Sequence, residues 1–540
     1  MSVTSLRTLP RAARPVTPEP GPRRSWQVLL VHPVVLAMVA TAALAALWIG
    51  VFPTAGTDLS AQIARADFAQ HYPRSAYDFS WYAGIYPAGY SVLAPYLFAF
   101  GGTRMVTAGA AVACAGLIAL MLVRHNVARP KLAALWAATG LWTGLISGRA
   151  TFTLGLAAAV AAVAVIDTRW AGDEWTGRAA RLGVGAVLAM LASLFSPVAG
   201  LFVGVAAAAL VITRRWVVGI GLGLAAGVPL GVVGLVFGTS GVQPITALNG
   251  GPAMLAAGLA VVLLPRQWRA VRVGSAVYFV GVLMSWILPT AIGSNVERLG
   301  LLLIGPLLAA TVVADVRKRG LFVFGIVGAV VWQVVSPIRD LTHSDAPLTS
   351  AASTAPLARE LVRLRADRSR LEAVPQYGHW EAQQLASIVP LARGWERQLD
   401  TVRNPLFYHG HLSAAEYHGW LHHNAVGYVA ISSAQPDYAA SREAEIVRSG
   451  QPWLDPVWHD ANWKLYRVTD ATPLADKPAV VQSTTPASIT VSMPRAGSTM
   501  VRIRWSRFLQ TSGGGTVQRD HEWTRLTVPH GGKFVLSASY

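Results

Sequence analysis

The chain has 540 residues, of which 53% are hydrophobic and 13% are charged. Soluble domains carry roughly 25% charged residues, so this composition leaves too little polar surface for a soluble protein. The 45 Lys and Arg residues outnumber the 27 Asp and Glu residues. Because most of this excess lies in short loops between apolar segments, it fits cytoplasmic loops facing anionic lipid, and the sequence predicts no nucleic-acid partner.

Apolar segments long enough to span a membrane, or nearly so, recur between residues 28 and 337, which we predict to be the transmembrane domain. About eleven spans are expected, at 28–52, 105–123, 132–148, 150–166, 182–196, 197–213, 217–237, 253–265, 273–291, 299–316 and 321–337. The Pro- and Arg-rich residues 1–27 are predicted to form a disordered cytoplasmic N-terminus. The two segments that meet at Ser196-Pro197 are compatible with one broken helix or with two helices.

The basic residues between the predicted spans fix the orientation of the chain. With the N-terminus inside, the inside connections hold Arg124, Arg129 and Lys131; Arg169, Arg178 and Arg181; Arg214 and Arg215; Arg266, Arg269 and Arg272; and Arg317, Lys318 and Arg319. Every basic cluster then lies on one side, as the positive-inside rule requires. A full span over 86–101 would move the later clusters outside, so we predict that this stretch lies on, or dips into, the outer face.

An odd number of spans places the residues after Pro337 outside. Residues 345–400 mix Arg, Glu and Leu at helical spacing, and we predict an extracytoplasmic α/β region over 338–470. Alternating segments such as ASITVSM and FVLSAS then predict a β-sandwich-like region over 471–540. The expected fold is a polytopic α-helical protein of the inner (plasma) membrane, with a C-terminal extracytoplasmic α/β plus β-sandwich domain.

Most candidate site residues fall in the predicted first outer loop, 53–101. They are Asp58, Asp67, His71, Asp78, Trp81 and Tyr82. A carboxylate at the membrane surface can accept a proton from a substrate hydroxyl, and Trp and Tyr rings at headgroup depth can stack on sugars. This combination favours a site for a lipid-linked polar substrate. The plainer interpretation is a set of ordinary loop acids and interfacial aromatic residues.

Two arginines share the same predicted outer face. Arg149 is flanked by apolar segments, and Arg298 follows Glu297 in the turn before a later span. A guanidinium stays charged and binds phosphate oxygens with two parallel hydrogen bonds, so both arginines are candidate phosphate ligands. The alternatives are a snorkelling arginine at 149 and a local Glu297–Arg298 pair. His422 and His423 do not have the spacing of a known metal motif and are expected at the surface or in packing contacts.

The pattern resembles the GT-C superfamily of membrane glycosyltransferases. The resemblance rests on Asp58 after the first predicted helix, the amphipathic stretch from Tyr86-Pro87 to Pro95-Tyr96, a core of about eleven helices and a soluble tail outside. The chain is similar in particular to actinobacterial integral membrane proteins of this type. Their tails carry stretches like RGWERQLD (393–400), NPLFY (404–408) and NWKLYRV (462–468).

This resemblance implies a sugar donor carried on a polyprenyl phosphate and a cell-envelope glycan or glycolipid acceptor outside the cytoplasm. Asp58 matches the position of the catalytic base, Arg149 and Arg298 would bind the donor phosphate, and the remaining loop residues and Glu297 would bind substrate. Many members carry paired acids after the first helix, whereas here Leu59 follows Asp58 and the next acid is Asp67. A divalent cation near Asp58 is allowed, but nothing in the sequence requires a cofactor.

The main rival function is a multi-pass transporter or flippase of an envelope lipid or small solute. Such proteins place ionisable residues near helix midpoints and show inverted repeats and matched broken helices. The sequence shows almost no charge in the middle of a predicted span and no repeat; only the interruptions at Ser196-Pro197 and Pro289 favour transport. A third interpretation is a non-catalytic scaffold for envelope assembly, in which Asp58 is dispensable.

Overall fold

A computed structural model describes residues 32–52, 54, 56–167, 175–238, 241–243, 245–312, 315–342 and 348–540 of the chain. The predicted disordered N-terminus, 1–27, and Arg169 of one predicted basic loop lie outside these residues. The first helices are α1 (Pro33–Val51), α2 (Leu59–His71), α3 (Pro87–Tyr90) and α4 (Ala94–Gly101). Ten longer helices follow: α5 (Thr103–Arg124), α6 (Pro130–Ile146), α7 (Ala150–Ile166), α8 (Trp175–Phe195), α9 (Pro197–Ile212), α10 (Trp216–Phe237), α11 (Ala247–Leu263), α12 (Arg269–Ile287), α13 (Glu297–Ala309) and α14 (Arg319–Thr342).

Each predicted span overlaps one helix of the set α1 and α5–α14. Within the described residues, six helices are long and apolar enough to cross a membrane, namely α1, α5, α8, α10, α12 and α14. The helical part is therefore that of an integral membrane protein. Ser196 adopts an extended conformation between α8 and α9, so the segments that meet there are two helices. The stretch 86–101 forms only α3 and α4; at 1.5 Å per residue, the 8 residues of α4 extend about 12 Å and cannot cross a core about 30 Å thick.

The long helices alternate in direction, so the connections between them gather at two opposite ends of the bundle. One end, which we call the domain end, contacts the C-terminal region: the Arg507 guanidinium donates to the Val236 carbonyl near the end of α10 (2.7 Å). The other end holds the basic connections, where Lys318 Nζ donates to the Val262 carbonyl at 3.1 Å. Basic charge and the C-terminal region therefore lie at opposite ends of the bundle. The orientation of this bundle in the membrane remains a prediction.

The C-terminal region begins with α15 (Ala351–Arg363) and a four-stranded sheet. Its strands are β1 (Arg370–Ala373), β2 (Val426–Ser432), β3 (Leu454–His459) and β4 (Trp463–Val468), in the order β1-β2-β4-β3, and only β1 and β2 are parallel. Four helices connect or cover these strands: α16 (Trp380–Leu385), α17 (Arg397–Arg403), α18 (Ala414–His423) and α19 (Ser441–Arg448).

Seven strands complete the chain as two antiparallel sheets. They are β5 (Val480–Thr485), β6 (Ser488–Met493), β7 (Gly497–Arg504), β8 (Leu509–Thr511), β9 (Thr516–Asp520), β10 (Trp523–Val528) and β11 (Gly532–Ala538). One sheet has the order β5-β6-β11-β8 and the other β7-β10-β9. Alternating side chains of both sheets, such as Val491, Phe534, Val501 and Leu526, share one buried core, as in a β-sandwich.

Part of the loop 53–101, predicted to lie outside, packs with this C-terminal region. Tyr77 and Phe79 lie in the core of the sandwich, and the Phe79 amide donates to the Pro486 carbonyl at 2.8 Å. Trp81 and Tyr82, only a few residues further on, lie in the core of the α/β region. We call residues 75–85 the wedge, because they pack into the cores of both the β-sandwich and the α/β region. The soluble part is consequently built from two separate stretches of sequence.

We predict that the two ends of the bundle face opposite sides of the membrane. The single native cysteine, Cys114, is fully buried, so labelling by a thiol reagent measures the accessibility of the introduced cysteine. Arg495→Cys, in the exposed turn between β6 and β7, should react with a membrane-impermeant maleimide in intact cells. Gln267→Cys, exposed between α11 and α12, should react only after the membrane is permeabilised. Labelling of Gln267→Cys in intact cells would overturn the orientation.

Candidate functional site

Four chain segments converge at the domain end of the bundle. They are the start of α2, the turn between α6 and α7, the start of α13 and the last turn of α14. Each brings a charged side chain, and these are Asp58, Arg149, Glu297 with Arg298, and Asp340. We call this set the charged cluster. Its members come from positions as far apart as 58 and 340, so only the packing of the helices brings them together.

Two glycines allow the backbone on either side of Asp58 to meet the turn that carries Arg149. A Cβ atom on Gly56 would lie 2.5 Å from backbone atoms of Ile146, Ser147 and Gly148. A Cβ on Gly148 would lie 2.5 Å from the Leu59 amide nitrogen. Both glycines have a positive φ, +93° at Gly56 and +72° at Gly148, and residues with a side chain rarely adopt such backbone angles. This close approach positions the carboxylate of residue 58 beside the α6–α7 turn.

Asp58 occupies the N-cap position of α2, yet its side chain does not cap the helix. Aspartate at this position usually accepts a hydrogen bond from an amide of the first turn. Here its Oδ2 instead accepts a hydrogen bond from Nη2 of Arg298 at 3.2 Å. The local helix signal is therefore overridden by an ion pair with a residue 240 positions away.

The second arginine is paired with the neighbouring acid of α13. Nη2 of Arg149 lies 3.7 Å from Oε1 of Glu297, and the Asn249 side-chain amide donates to Oε2 of the same carboxylate at 3.2 Å. Arg149 and Asp58 both lie within electrostatic range of the Arg298 guanidinium. Two cations and two anions thus alternate within one small volume.

The structure adds one acid that the sequence analysis missed. Asp340 lies three residues beyond the last predicted span, and its carboxylate accepts a hydrogen bond from the Ser147 hydroxyl at 2.6 Å. Its electrostatic neighbours include Arg149 and Asp58, and the residue is 5% exposed. The available signal was a charged residue continuing an apolar helix, in VVSPIRDLT. It identifies a functional candidate only once α14 is known to end at the α6–α7 turn.

The N-termini of three helices also meet at the charged cluster. Asp58 precedes α2, Arg149 precedes α7, and Glu297 is the first residue of α13. Free amide groups and the aligned peptide dipoles make a helix N-terminus electropositive and suited to anions such as phosphate. Two guanidiniums and two carboxylates therefore lie beside these helix ends.

The charged cluster is sheltered but not sealed. The side chains of Arg298, Glu297 and Arg149 are 10%, 12% and 15% exposed, and that of Asp58 is 25% exposed. The C-terminal region covers the adjoining backbone, because the Ser60 hydroxyl donates to the Gly378 carbonyl at 3.0 Å. Low exposure strengthens electrostatic interactions among these charges, while part of the Asp58 carboxylate remains accessible to solvent.

Two of the other candidates lie along α2, away from the cluster. Asp67 is nine residues after Asp58, about 13 Å further along the helix at 1.5 Å per residue. It is exposed, and its Oδ2 accepts a hydrogen bond from the Gln383 amide at 3.1 Å. His71 is exposed at the end of α2, where Nδ1 contacts the Asp67 carbonyl oxygen at 2.8 Å. The structure does not bring Asp67 or His71 to Asp58.

The three candidates in the wedge are buried in packing contacts. Trp81 and Tyr82 are 1% and 2% exposed, and their polar atoms donate to the Ala382 carbonyl at 3.1 Å and the Gly394 carbonyl at 2.9 Å. Asp78 is also buried and accepts hydrogen bonds from the amide and hydroxyl of Ser80. These side chains join the soluble units and offer no surface to a sugar, which corrects the interpretation of Trp81 and Tyr82 as stacking platforms.

The tail stretch 393–400 binds the soluble part to α2 and to the domain end. Glu396 Oε2 accepts from the Arg65 guanidinium of α2 at 2.8 Å, and both side chains are less than a tenth exposed. Gln398 donates to the Gln243 side-chain oxygen after α10 at 3.0 Å. The residues that carry the sequence resemblance in this tail therefore fix the position of the soluble part over the bundle.

No protein-family model and no curated protein matches the chain. It is similar to a solved structure of the arabinofuranosyltransferase AftD from mycobacteria, with 13% identity and a TM-score of 0.43 over 94% of this chain. The chain spans 60% of the length of that protein. It is also similar to ArnT from Cupriavidus metallidurans in the apo state, with 13% identity and a TM-score of 0.44 over 82% of this chain and 97% of that one.

A further solved structure, of ArnT from Cupriavidus metallidurans bound to undecaprenyl phosphate, is 12% identical. The TM-score is 0.37, and the match covers 83% of this chain and 99% of that one. With identities of 12–13% and no TM-score above 0.44, these three likenesses decide neither the reaction nor the site of this chain. The geometry of its own residues has to carry that argument.

We predict that Gly56→Ala lowers the stability of the fold by more than the strain of a positive φ would by itself. The added methyl has to displace the α6–α7 turn, so its cost adds about 1–3 kcal/mol of overpacking to about 1–3 kcal/mol of backbone strain. The matched control is Gly102→Ala, which has a φ of +76° but open space around its Cβ position. Thermal unfolding of both variants in detergent measures the difference; equal destabilisation would contradict the close approach.

We also predict a stability change with pH from Asp78. Burial raises the pKa of this carboxyl from 3.8 to about 6. Because the folded protein holds the proton more tightly, this contribution is complete below pH 3.8 and is lost as the pH rises through 6. Asp78→Asn keeps an oxygen that accepts from Ser80 but does not titrate. Relative to this variant, the free energy of unfolding of the wild type should fall by about 3 kcal/mol between pH 3.8 and pH 7. A difference in unfolding temperature that stays constant between pH 4 and 7 would contradict this.

Proposed function

We propose that the chain is a membrane glycosyltransferase that moves a sugar from a polyprenyl-phosphate donor to an extracytoplasmic glycan or glycolipid acceptor. The observation that carries the proposal is the pairing of Asp58 with Arg298, next to Arg149, at the convergence of three helix N-termini. A carboxylate and two guanidiniums are the groups that glycosyl transfer from a phosphate needs: a proton acceptor and anion ligands.

In the proposed reaction, the Asp58 carboxylate accepts the proton of an acceptor hydroxyl. The oxygen attacks the anomeric carbon of the donor, the bond between that carbon and the phosphate oxygen breaks, and the configuration inverts. The leaving group is polyprenyl phosphate, which gains negative charge as the bond breaks. In this proposal Arg298 binds both the Asp58 carboxylate and a phosphate oxygen of the donor, because its guanidinium has five N–H donors.

Glu297 is proposed to position Arg149 rather than to touch the sugar. The carboxylate is held by Asn249 on one oxygen and faces Arg149 on the other. A guanidinium tethered in this way is oriented before the donor arrives, so less conformational freedom is lost when the phosphate binds. Asp340 is anchored by Ser147 and adds a third carboxylate near Arg149.

The location of the cluster suits a lipid-linked donor and argues against the rival transport function. The charged residues lie at the ends of α7, α13 and α14 and at the start of α2, where a phosphate can remain at the membrane surface while its polyprenyl chain lies against the apolar helices. Transport would require ionisable groups nearer the helix midpoints. Acceptor selection is assigned to the C-terminal region, which covers the cluster through the segment at Gly378.

We expect Asp58→Asn to lower glycosyl transfer by roughly 10²–10⁴-fold, because one well-placed base contributes about that factor. Membranes that contain the chain are assayed with radiolabelled polyprenyl-phosphate sugars and an envelope acceptor fraction. Asp67→Asn is the matched control, since it removes an acid of the same loop that lies away from the cluster. Equal expression and monodispersity in detergent exclude a folding defect in either variant.

Three results separate the interpretations. Transfer by Asp58→Asn at the wild-type rate removes Asp58 from the mechanism. A loss that Asp67→Asn shares equally indicates a general dependence on loop acids rather than a base at 58. Absence of transfer from every polyprenyl-phosphate sugar tested, with folded wild-type protein, contradicts glycosyl transfer and favours transport or a scaffold function.

A further inference from the structure

A second group of polar side chains lies in the C-terminal region, independent of the charged cluster. His418 and His422 are one turn apart on the same face of α18, and Asp470 follows β4. Nε2 of His418 lies 3.1 Å from Nε2 of His422. The two carboxylate oxygens of Asp470 lie 3.1 Å from the first and 3.2 Å from the second of these nitrogens. The two imidazole nitrogens and the two oxygens of one carboxylate therefore form a compact group of potential ligand atoms.

The separations within this group match those of a metal coordination shell. Zinc bonds to imidazole nitrogen and carboxylate oxygen are about 2.0–2.1 Å long, so ligands of a tetrahedral site are about 3.3 Å apart. The separations of 3.1–3.2 Å are close to that edge length. An ion between the two nitrogens and the carboxylate would contact all three residues.

Hydrogen bonding alone satisfies this arrangement poorly. An imidazole Nε2 has one in-plane direction for its proton or its lone pair. In His418 and His422 that direction would have to serve both the other imidazole and Asp470. A cation at the centre accepts the lone pairs of both nitrogens and a carboxylate oxygen together, so it satisfies groups that protons satisfy only in part.

The rings are held in the orientation that a metal site requires. Nδ1 of His422 lies 3.0 Å from the Thr472 hydroxyl; donation from Nδ1–H leaves the lone pair on Nε2, which is the tautomer that binds metal. His418 stacks on Trp453, with ring centroids 4.5 Å apart and an interplanar angle of 15°. The Nδ1 hydrogen bond of His422 is typical of metal-binding histidines, and the stack restricts rotation of the His418 ring.

We propose that His418, His422 and Asp470 bind one Zn²⁺ ion or a similar divalent transition metal. Two imidazoles select such ions over Mg²⁺ and Ca²⁺, which prefer oxygen ligands. The side chains are 25%, 30% and 52% exposed, so three protein ligands leave a coordination position open to water. The ion also ties α18 to the segment after β4, and its binding therefore stabilises this part of the α/β region.

The test uses the purified full-length chain in detergent, freed of metal with a chelator and titrated with Zn²⁺ against a chromophoric competitor. We expect one site per chain in the wild type and none in His418→Ala or His422→Ala. His423→Ala is the matched control, because His423 lies on the same helix but its Nε2 contacts Glu522 at 2.6 Å; it should retain the site. An excess of Mg²⁺ should not displace the ion.

A milder variant guards against a folding defect. Thr472→Val removes the partner of His422 but no ligand, and it should weaken Zn²⁺ binding by roughly 10–100-fold. X-ray absorption of the wild-type complex should show two imidazole ligands. The proposal is overturned if the wild type binds no Zn²⁺ at micromolar concentration, or if the two ligand variants keep its stoichiometry. In either case the three residues form a hydrogen-bonded network only.

Discussion

The close approach of two backbone segments at Gly56 and Gly148 is the constraint on which the candidate site depends. Aspartate commonly caps its own helix, but Asp58 is held beside Arg298 instead. The contact is possible because neither position carries a Cβ atom. Once made, it fixes the start of α2 against the α6–α7 turn and so turns two local helix beginnings into one site. The energy of the ion pair is secondary to this geometry, because the cost of removing sheltered charges from water offsets much of their attraction.

The wedge gives the same region its second support. Residues 75–85 enter two hydrophobic cores, so the soluble part cannot shift over the bundle without exposing Tyr77, Phe79 and Trp81 to water. Fully burying one large apolar side chain is worth about 1.5–3 kcal/mol. The aromatic residues that the sequence suggested for sugar stacking thus hold the C-terminal region in position. Their function is indirect: they keep the C-terminal region above the charged cluster.

The proposed glycosyl transfer and the proposed zinc site divide the molecule into two chemical regions. The first uses carboxylate and guanidinium groups at the domain end of the bundle, where we propose that the donor phosphate binds. The second uses imidazoles on α18, within the soluble part. The two sites consist of different residues, so a negative test of one does not contradict the other.

The sequence by itself determined the positions of the helices α1 and α5–α14, the short helices over 86–101 and the mixed and β-rich character of the tail, because hydrophobic periodicity and length are local properties. It also singled out Asp58, Arg149, Glu297 and Arg298. Only the tertiary structure decided which of the candidates meet. It excluded Trp81 and Tyr82 through burial, separated Asp67 by the length of a helix, and added Asp340 and the His418–His422–Asp470 group. The physical reason is that side-chain partners here are up to 240 residues apart, and no local pattern encodes which helix ends pack together.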